Sequence, residues 1–273
     1  MNEAIGVNAA SKPDIVGAGE PLLLLHGWPF HKAAFRKLAP LLAERYLCHS
    51  LNSLGMNDTE ITIDHDLSFH GHADRLIEYI DRQGWQEVSI LAHDTAGTFA
   101  RIMAANAPDR VKALFLLNTE IPHHRPPFIP LYRRLSHLPF FEFSMKHLMR
   151  SAAFQRSPAG FGECFYDRSM IDRDFVSLFG DYWFQRPKRF SALIKYLQEI
   201  DFTVVDNLGD IHGKISAPLY FIWGAEDKTF PADLGYEMAK AAPSFERFVP
   251  IEKTCFLPHE ERPMAVAEAI LSF

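Results

Sequence analysis

Residues 88–101 constrain the fold of this chain more than any other stretch. Residues 88–91 are largely apolar, which is typical of a strand buried on both faces of a sheet. Residues 95–107 have helical composition and contain no proline before Pro108. A strand must therefore turn into a helix within about two residues, and Asp94 lies at that turn.

The residues around Asp94 form a relaxed nucleophile elbow. In its usual form, Gly-x-Nuc-x-Gly, the nucleophile lies on a strained turn, and small neighbours let the strand and the helix approach each other. Here the glycine positions hold Ala92 and Ala96, and Gly97 follows one place later. The residue in the nucleophile position is thus a carboxylate. An ordinary helix N-cap at Asp94 is the alternative interpretation.

Four motifs occur in order along almost the whole chain. They are Leu-His-Gly-Trp-Pro at residues 25–29, Ala-His-Asp-Thr-Ala-Gly at 92–97, Trp-Gly-Ala-Glu-Asp at 223–227 and Phe-Leu-Pro-His-Glu-Glu-Arg-Pro at 256–263. Together they resemble the α/β-hydrolase superfamily and, within it, the Asp-nucleophile branch of epoxide hydrolases, haloalkane dehalogenases and fluoroacetate dehalogenases. The resemblance implies an α/β fold with a mostly parallel central sheet flanked by helices and an inserted helical cap. It assigns residues 1–121 and 215–273 to the core and 122–214 to the cap, as one structural unit.

The resemblance also implies a role for several motif residues. Asp94 matches the nucleophile, and the backbone amides of Trp28 and Thr95 match the oxyanion hole. Asp227 matches the acid that orients the catalytic His. The alternatives are a core aromatic residue at Trp28 and a cap of a helix starting near Pro231 for Asp227.

The catalytic His of the family is missing from its usual position. Cys255 occupies that position, after Thr254 instead of Gly. A thiol has a pKa of about 8.5 and is mainly protonated at neutral pH, so Cys255 is a poor replacement. His259 is the candidate base if the loop takes a different path; the alternative is a solvent-facing residue at the start of the last helix.

The loss of this His affects the two half-reactions differently. An aspartic acid side chain in water has a pKa of about 3.9, so we expect Asp94 to be ionised at pH 7 and able to attack without a base. Hydrolysis of the resulting ester needs an activated water. We therefore expect turnover to stall at the covalent stage if His259 is not the base.

Two other places depart from the family pattern. Asn118 occupies the alternative position of the acid, with Glu120 two residues later, so the acid is expected at Asp227 instead. Residues 52–59 keep only Gly55 and Asp58 among the usual small or acidic positions of their loop.

The predicted cap is rich in aromatic residues. Residues 122–214 hold 12 of the 23 Phe residues, and five prolines lie between Pro122 and Pro139. A lid over a site buries apolar area on both sides, so an apolar pocket is expected. Tyr182 and Trp183 are the predicted substrate-binding residues, although a packing role is the alternative for each. The other cap residues able to donate a side-chain hydrogen bond into such a pocket are Tyr132, Tyr166 and Tyr196.

The remaining pattern predicts ordinary elements around the site. Strands are expected at residues 21–25, 46–51, 111–117, 218–223 and 247–250, and helices at 33–44 and 70–83. His70 and His72 lie two residues apart on the first turn of the second helix and diverge in direction, so we interpret them as a solvated surface pair and not as metal ligands.

Composition limits the classes of partner. The net charge of −6 and the pI near 6.1 give no overall basic footprint, so neither nucleic acid nor a membrane is an expected partner. Cys48, Cys164 and Cys255 have no metal-ligand spacing and suggest no disulfide framework. Residues 1–20 lack a signal-peptide pattern, and a cytoplasmic location is expected. No cofactor or metal is expected, and homodimer formation stays open.

The sequence predicts a hydrolase with an Asp nucleophile acting on a small apolar electrophile, with an epoxide as the first choice. The first alternative is a ligand-binding protein with impaired turnover or a non-hydrolytic catalyst, because Cys255 replaces the His. Haloalkane dehalogenase and esterase are further alternatives. In haloalkane dehalogenases a Trp follows the nucleophile and holds the halide, whereas Thr95 follows it here.

Overall fold

A seven-stranded, mostly parallel sheet forms the centre of the molecule. The computed structural model describes residues 12–53, 56 and 65–273. The strand order is β1-β3-β2-β4-β5-β6-β7, and every neighbouring pair is parallel except β1 with β3. The strands are β1 (Asp14–Val16), β2 (Glu20–Leu25), β3 (Tyr46–Leu51), β4 (Val88–Asp94), β5 (Val111–Thr119), β6 (Leu219–Gly224) and β7 (Phe245–Ile251).

The predicted strands are present to within three residues at each end. All seven residues of β4 are buried, because helices cover both faces of the sheet. Alternate residues point to opposite faces: Leu23 and Leu25 belong to one buried apolar cluster, and Leu22 and Leu24 to the other. β1 was not predicted, since its three residues carry no buried side chain.

The helices alternate with the strands in the core and follow one another between β5 and β6. In chain order they are α1 (Ala39–Leu42), α2 (Phe69–Gln83), α3 (Thr95–Asn106), α4 (Ile129–Leu135), α5 (Phe141–Met149), α6 (Ala152–Arg156), α7 (Arg173–Phe175), α8 (Pro187–Glu199), α9 (Phe202–Asp206), α10 (Leu208–His212), α11 (Ala232–Lys240), α12 (Pro258–Glu261) and α13 (Pro263–Leu271). Short turns of other helix types lie at Lys32–Phe35, Pro108–Arg110, Arg168–Met170, Val176–Gly180 and Asp181–Phe184.

The predicted helix over residues 33–44 is wrong in its middle. A 3₁₀ turn covers Lys32–Phe35, and the separate helix α1 begins at Ala39 with Pro40 in its first turn. Proline has no backbone N–H and its ring clashes with the preceding turn, so one continuous helix cannot pass through this position.

Helix α2 extends the prediction by one residue. It begins after Ser68, whose side chain accepts a hydrogen bond from the Gly71 amide, and ends at Gly84 in the left-handed conformation. His70 is exposed, but His72 is buried and its ring stacks on Phe99 with centroids 5.0 Å apart. The interpretation of a solvated pair is therefore wrong for His72, because α2 packs this turn against α3.

The segment between β5 and β6 is a helical insertion, α4 to α10, without a strand between residues 120 and 218. Within the described parts of the chain, no helix combines the length and apolar character needed to cross a membrane. Gly55 and Asp58 of the predicted loop lie outside the described residues.

Candidate active site

Asp94 lies at the tight turn between β4 and α3. Its backbone is left-handed, with φ 55° and ψ −130°, and its side chain makes no helix-capping hydrogen bond. A Cβ on Gly27 would collide with the Asp94 side chain, and one on Gly97 would collide with Thr119. Gly97 thus provides the close approach of helix and strand that the elbow needs. The missing capping bond argues against the N-cap interpretation of Asp94.

The two predicted oxyanion-hole residues lie beside Asp94. Burial raises the pKa of Asp94, and the backbone N–H groups of Thr95 and Trp28 partly offset this rise. The Trp28 N–H donates to Thr95 Oγ1 at 3.2 Å, and the Tyr196 hydroxyl of α8 donates to the same oxygen at 3.2 Å. The indole N–H of Trp28 donates to the Leu193 carbonyl at 3.1 Å, so this side chain joins the core to the insertion.

Glu120 is a second buried carboxyl at the same place. It directly follows Thr119, the residue paired with Asp94 in the β4–β5 register. The Thr98 hydroxyl donates to its carboxylate, and Arg101 donates to its backbone carbonyl at 3.1 Å. Burial raises the pKa of Glu120 to about 7, against the opposing effect of Thr98 and Arg101.

The two carboxyl groups influence each other. Burial raises the pKa of Asp94 well above its ordinary value, and the Glu120 charge raises it further. Both effects favour the protonated form of Asp94, so the folded protein holds a proton at this pair more tightly than two isolated carboxyls would.

Asp227 follows β6 and is held by Asn118. The Asn118 side-chain amide donates to Asp227 Oδ2 at 2.7 Å, and its oxygen accepts the Gly224 N–H at 3.0 Å. The Thr229 N–H donates to Asp227 Oδ1 at 2.7 Å. Burial raises the pKa of Asp227 to about 7. Helix α11 begins after Pro231, so Asp227 does not cap it.

Cys255 is buried in the loop after β7. Its thiol donates to the Glu226 carbonyl at 3.2 Å, and burial raises its pKa to about 12. Its backbone N–H donates to Glu261 Oε2 at 2.7 Å. Cys255 is therefore a neutral thiol at physiological pH and cannot act as a base there.

His259 is not brought to the site as a base. It is fully buried in α12, where its ring lies 5.2 Å from the ring of Phe35 and 4.7 Å from that of His93, measured between centroids. Neither ring nitrogen has a hydrogen-bond partner among the described residues. Burial lowers its pKa well below the ordinary value. The solvent-facing alternative is also wrong, since α12 packs against the Lys32–Phe35 turn.

A largely apolar cavity opens above Asp94, between the core and the insertion. Trp28, Asp94, Thr95 and Glu120 line its floor. Its walls come from the insertion and include Phe128, Ile129, Tyr132, Phe141, Met145, Met149, Phe154, Leu193, Leu197 and Phe202.

The two predicted substrate-binding residues lie outside this lining. Trp183 is fully buried, and Tyr182 stacks on His31 with ring centroids 4.0 Å apart, beneath the guanidinium of Arg189. Both take the packing role that was their alternative. The cap tyrosine next to the candidate nucleophile is instead Tyr196, and Tyr132 lines the wall with its hydroxyl donating to the Ala159 carbonyl.

Sequence reasoning missed two further polar groups in the cavity. Cys164 lines it, and burial together with the Asp227 and Asp94 charges raises the pKa of this thiol. Glu163 also lines it and pairs with Arg168 and Lys228 at 2.7 and 2.8 Å. The position of Glu120 just past a strand was visible in the sequence, but no sequence signal marks Cys164. No group of three metal-ligating side chains occurs within residues 12–53, 56 and 65–273.

The fold and the motifs have counterparts in known proteins. Residues 20–263 match the sequence profile of the family described as alpha/beta hydrolase fold. The uncharacterized hydrolase YugF of Bacillus subtilis is 22% identical over 260 residues, which cover 93% of this chain and 89% of that protein. A soluble epoxide hydrolase of Corynebacterium sp. is 31% identical over 102 residues, which cover 37% of this chain and 35% of that protein. The crystal structure of an alpha/beta hydrolase fold protein from Burkholderia ambifaria has a TM-score of 0.81 and 19% identity, with 98% of both chains covered.

Proposed function

The chain belongs to the alpha/beta hydrolase fold family, and from this premise we propose that it hydrolyses a small apolar electrophile, such as an epoxide, through an ester formed on Asp94. The observation that carries the proposal is the position of Asp94. Its carboxylate lies at a strained turn on the floor of an apolar cavity, where the backbone N–H groups of Thr95 and Trp28 favour its charged form. The same two amides can stabilise the tetrahedral oxyanion that forms when water attacks the ester.

An epoxide fits the polar groups better than a haloalkane does. In the haloalkane dehalogenase pattern an indole N–H next to the nucleophile holds the halide, but Thr95 stands there. The nearby Trp28 indole already donates to the Leu193 carbonyl. An epoxide oxygen instead needs a proton donor when its ring opens, and the Glu120 carboxyl is available on the same cavity floor.

Glu120 supplies the proton transfers that the missing His would perform. Attack requires the form of the pair in which Glu120 holds the proton and Asp94 holds the charge. An Asp94 oxygen attacks an epoxide carbon, the C–O bond of the ring breaks, and the departing oxygen takes the proton from Glu120. The products are a hydroxyalkyl ester on Asp94 and an ionised Glu120.

The ester makes Glu120 a better base at the step that needs one. Esterified Asp94 is neutral, so the charge that opposed ionisation of Glu120 has gone. Glu120 takes a proton from water, whose oxygen attacks the ester carbonyl. The tetrahedral intermediate expels the alkoxide, which receives the proton of the newly formed Asp94 carboxylic acid. The product is a diol, and the pair returns to one proton and one charge.

Two variants separate the half-reactions. We expect Asp94→Asn to abolish both the covalent adduct and turnover of an aryl epoxide. We expect Glu120→Gln to form the adduct but to hydrolyse it about 10²–10⁴ times more slowly than the wild type, which is the usual size of general-base assistance. Intact-mass spectrometry and single-turnover kinetics measure these two steps.

Glu163→Gln is the matched control, because Glu163 lines the same cavity but is ion-paired with Arg168 and Lys228. Its adduct lifetime should stay close to that of the wild type. Equal turnover by Asp94→Asn and the wild type would remove Asp94 from the mechanism. Turnover of esters but not epoxides would place the substrate in the esterase class.

The second candidate is a ligand-binding protein that does not turn over. It is favoured by one observation: no imidazole lies among the residues that line the described cavity. Such a protein would bind an apolar ligand reversibly and leave it unchanged. Repeated turnovers per molecule of protein would exclude this candidate.

A further inference from the structure

We propose that the helical insertion docks onto an anionic lipid surface through the tip formed by α4 and α5. Five large apolar side chains of this segment are exposed, by 46–80% of their surface. They are Leu131, Leu138, Phe140, Phe143 and Leu148, and we call them the exposed insertion face. Single exposed apolar residues are ordinary, but five within 18 residues of one segment form a patch of the kind that marks an interaction surface.

Apolar side chains of helix α5 fall into an exposed group and a group that lines the cavity. One side is exposed at Phe143, and the exposed Phe140 and Leu148 lie at the two ends of the helix. The other side carries Phe141, Met145 and Met149, which line the cavity above Asp94. Contact with the cavity therefore accounts for only part of the apolar surface of α5.

The conformation of Phe140 supports the same interpretation. Its backbone is left-handed, with φ 69°, while its side chain is 80% exposed. A bulky residue in this region costs about 1 kcal/mol or more, and burial of the exposed ring within the chain contributes little against this cost.

The charge around the face identifies the kind of partner. Residues 128–150, which span α4 and α5, contain a single acidic side chain, Glu142, and four Arg or Lys residues, a formal charge of +3. Since the whole chain carries −6, the rest of it carries −9. Arg134 and Arg150 are exposed beside the apolar residues. Apolar side chains flanked by cations insert at the boundary of anionic phospholipids and bind their headgroups.

The chain-wide charge therefore conceals a local basic region. The expectation that no membrane is a partner rested on the total charge of −6. In this total the negative charge of the rest of the chain hides the positive charge of the tip. The tip also adjoins the cavity, since Phe128 both lines the cavity and is 39% exposed. An apolar substrate dissolved in the bilayer would then reach the site along an apolar path.

Flotation with lipid vesicles tests this inference without any assay of activity. We expect the full chain to bind vesicles of phosphatidylcholine with phosphatidylglycerol, and to bind phosphatidylcholine alone more weakly. Binding should fall as salt rises, because salt screens the headgroup charge. The double variant Phe140→Ser and Phe143→Ser should lower the partition coefficient at least about tenfold through lost apolar burial. Arg134→Glu should lower it at least about fivefold through lost attraction.

Matched controls lie outside the segment. Met264→Ser removes a side chain that is 57% exposed, and Arg262→Glu makes the same charge change as Arg134→Glu. Both should bind like the wild type. If the double Phe variant fails to fold, Leu148→Ser serves in its place, with thermal unfolding as the check.

Three results would overturn the inference. One is absence of binding to the anionic vesicles. Another is equal binding of the wild type and Arg134→Glu. The third is a concentration-dependent dimer in sedimentation that the Phe140→Ser and Phe143→Ser variant converts to a monomer, since a second copy of the chain would then cover the face.

Discussion

At the scale of single residues, the unusual feature is a pair of carboxyls in place of a carboxyl and an imidazole. Asp94 and Glu120 are buried on one cavity floor and raise each other's proton affinity. A carboxyl can serve as a base at neutral pH only if its pKa is brought near 7, and burial does this for Glu120. The chain thus offers a proton carrier of suitable pKa beside the nucleophile, although Cys255 replaces the expected His.

His259 provides the sharpest test at this scale. We expect His259→Leu to leave epoxide turnover within about twofold and to raise the unfolding free energy by about 1 kcal/mol, because two buried ring nitrogens without partners are removed. Urea unfolding and steady-state kinetics measure the two effects. His70→Leu, an exposed position on α2, is the control for the change in residue type. A loss of turnover in His259→Leu by about 10²-fold or more, with the protein folded, would restore His259 as the base.

At the scale of helices and strands, the sequence predicted the features that depend on residues close together in the chain. The apolar run of β4, the composition of α3 and the small residues between them fix the elbow and hence the position of Asp94. The break at Pro40 could have been predicted, because proline has no backbone N–H. The helical composition of the surrounding residues favoured a continuous helix instead. Which side of the insertion helices faces the cavity depends on long-range packing. Tyr182 and Tyr196 therefore could not be told apart by sequence, although only Tyr196 reaches Thr95.

In the loop after β7, too, local sequence predicts one feature and long-range packing decides another. Its motif predicted the place of position 255, but the path of α12 decides that His259 packs away from the cavity. The backbone at Cys255 is held on both sides, by Glu261 on its N–H at 2.7 Å and by Asn118 on its carbonyl at 3.3 Å. Because side-chain substitution leaves these two bonds in place, this loop can carry a different residue at 255 without moving.

This gives a prediction for the loop as an element. In the Glu120→Gln background, where ester hydrolysis is slow, we expect Cys255→His to restore the second half-reaction by about 10²–10⁴-fold, since an imidazole regains the family position beside Asp227. The decay of the Asp94 adduct, followed by mass spectrometry, measures this rescue. Cys255→Ser in the same background should leave the decay slow. An adduct that is equally long-lived with His and with Ser would mean that position 255 is not aimed at the ester.

At the scale of the whole molecule, burial has produced two groups of titratable residues with opposite effects on stability. Burial lowers the pKa of His26 and His72 to about 3 and that of His93 to about 4. It raises the pKa of Glu120 and Asp227 to about 7. The other histidines with a lowered pKa are His31, His49, His212 and His259, and the other carboxyls with a raised pKa are Asp94 and Glu261.

These shifts predict a maximum of the unfolding free energy near pH 7. A histidine with a lowered folded-state pKa binds its proton only in the unfolded chain, so its contribution to stability is present above about pH 6.5 and is lost as the pH falls. A carboxyl with a raised folded-state pKa keeps a proton that the unfolded chain releases. Its contribution is complete below about pH 4 and is lost as the pH rises through about 7. Between these values the seven histidines outweigh the four carboxyls, and above about pH 7 the unfolded histidines hold few protons, so the carboxyls with a raised pKa dominate the slope.

Urea unfolding at pH 5, 6.5 and 8 measures both sides of this maximum. We expect Glu120→Gln to steepen the rise in stability from pH 5 to 6.5 and to add to the stability at pH 8 relative to pH 6.5, because the amide binds no proton in either state and the opposing slope of Glu120 is absent. Glu87→Gln, at an exposed position, should not change the profile. Each group with a shifted pKa can change the slope of the unfolding free energy against pH by at most about 1.4 kcal/mol per pH unit. The loss of one such carboxyl is therefore measurable in the pH profile of the whole protein. A Glu120→Gln profile that runs parallel to the wild type from pH 5 to 8 would mean that Glu120 is ionised in the folded protein throughout this range, and Glu120 would then have no proton to give to the substrate.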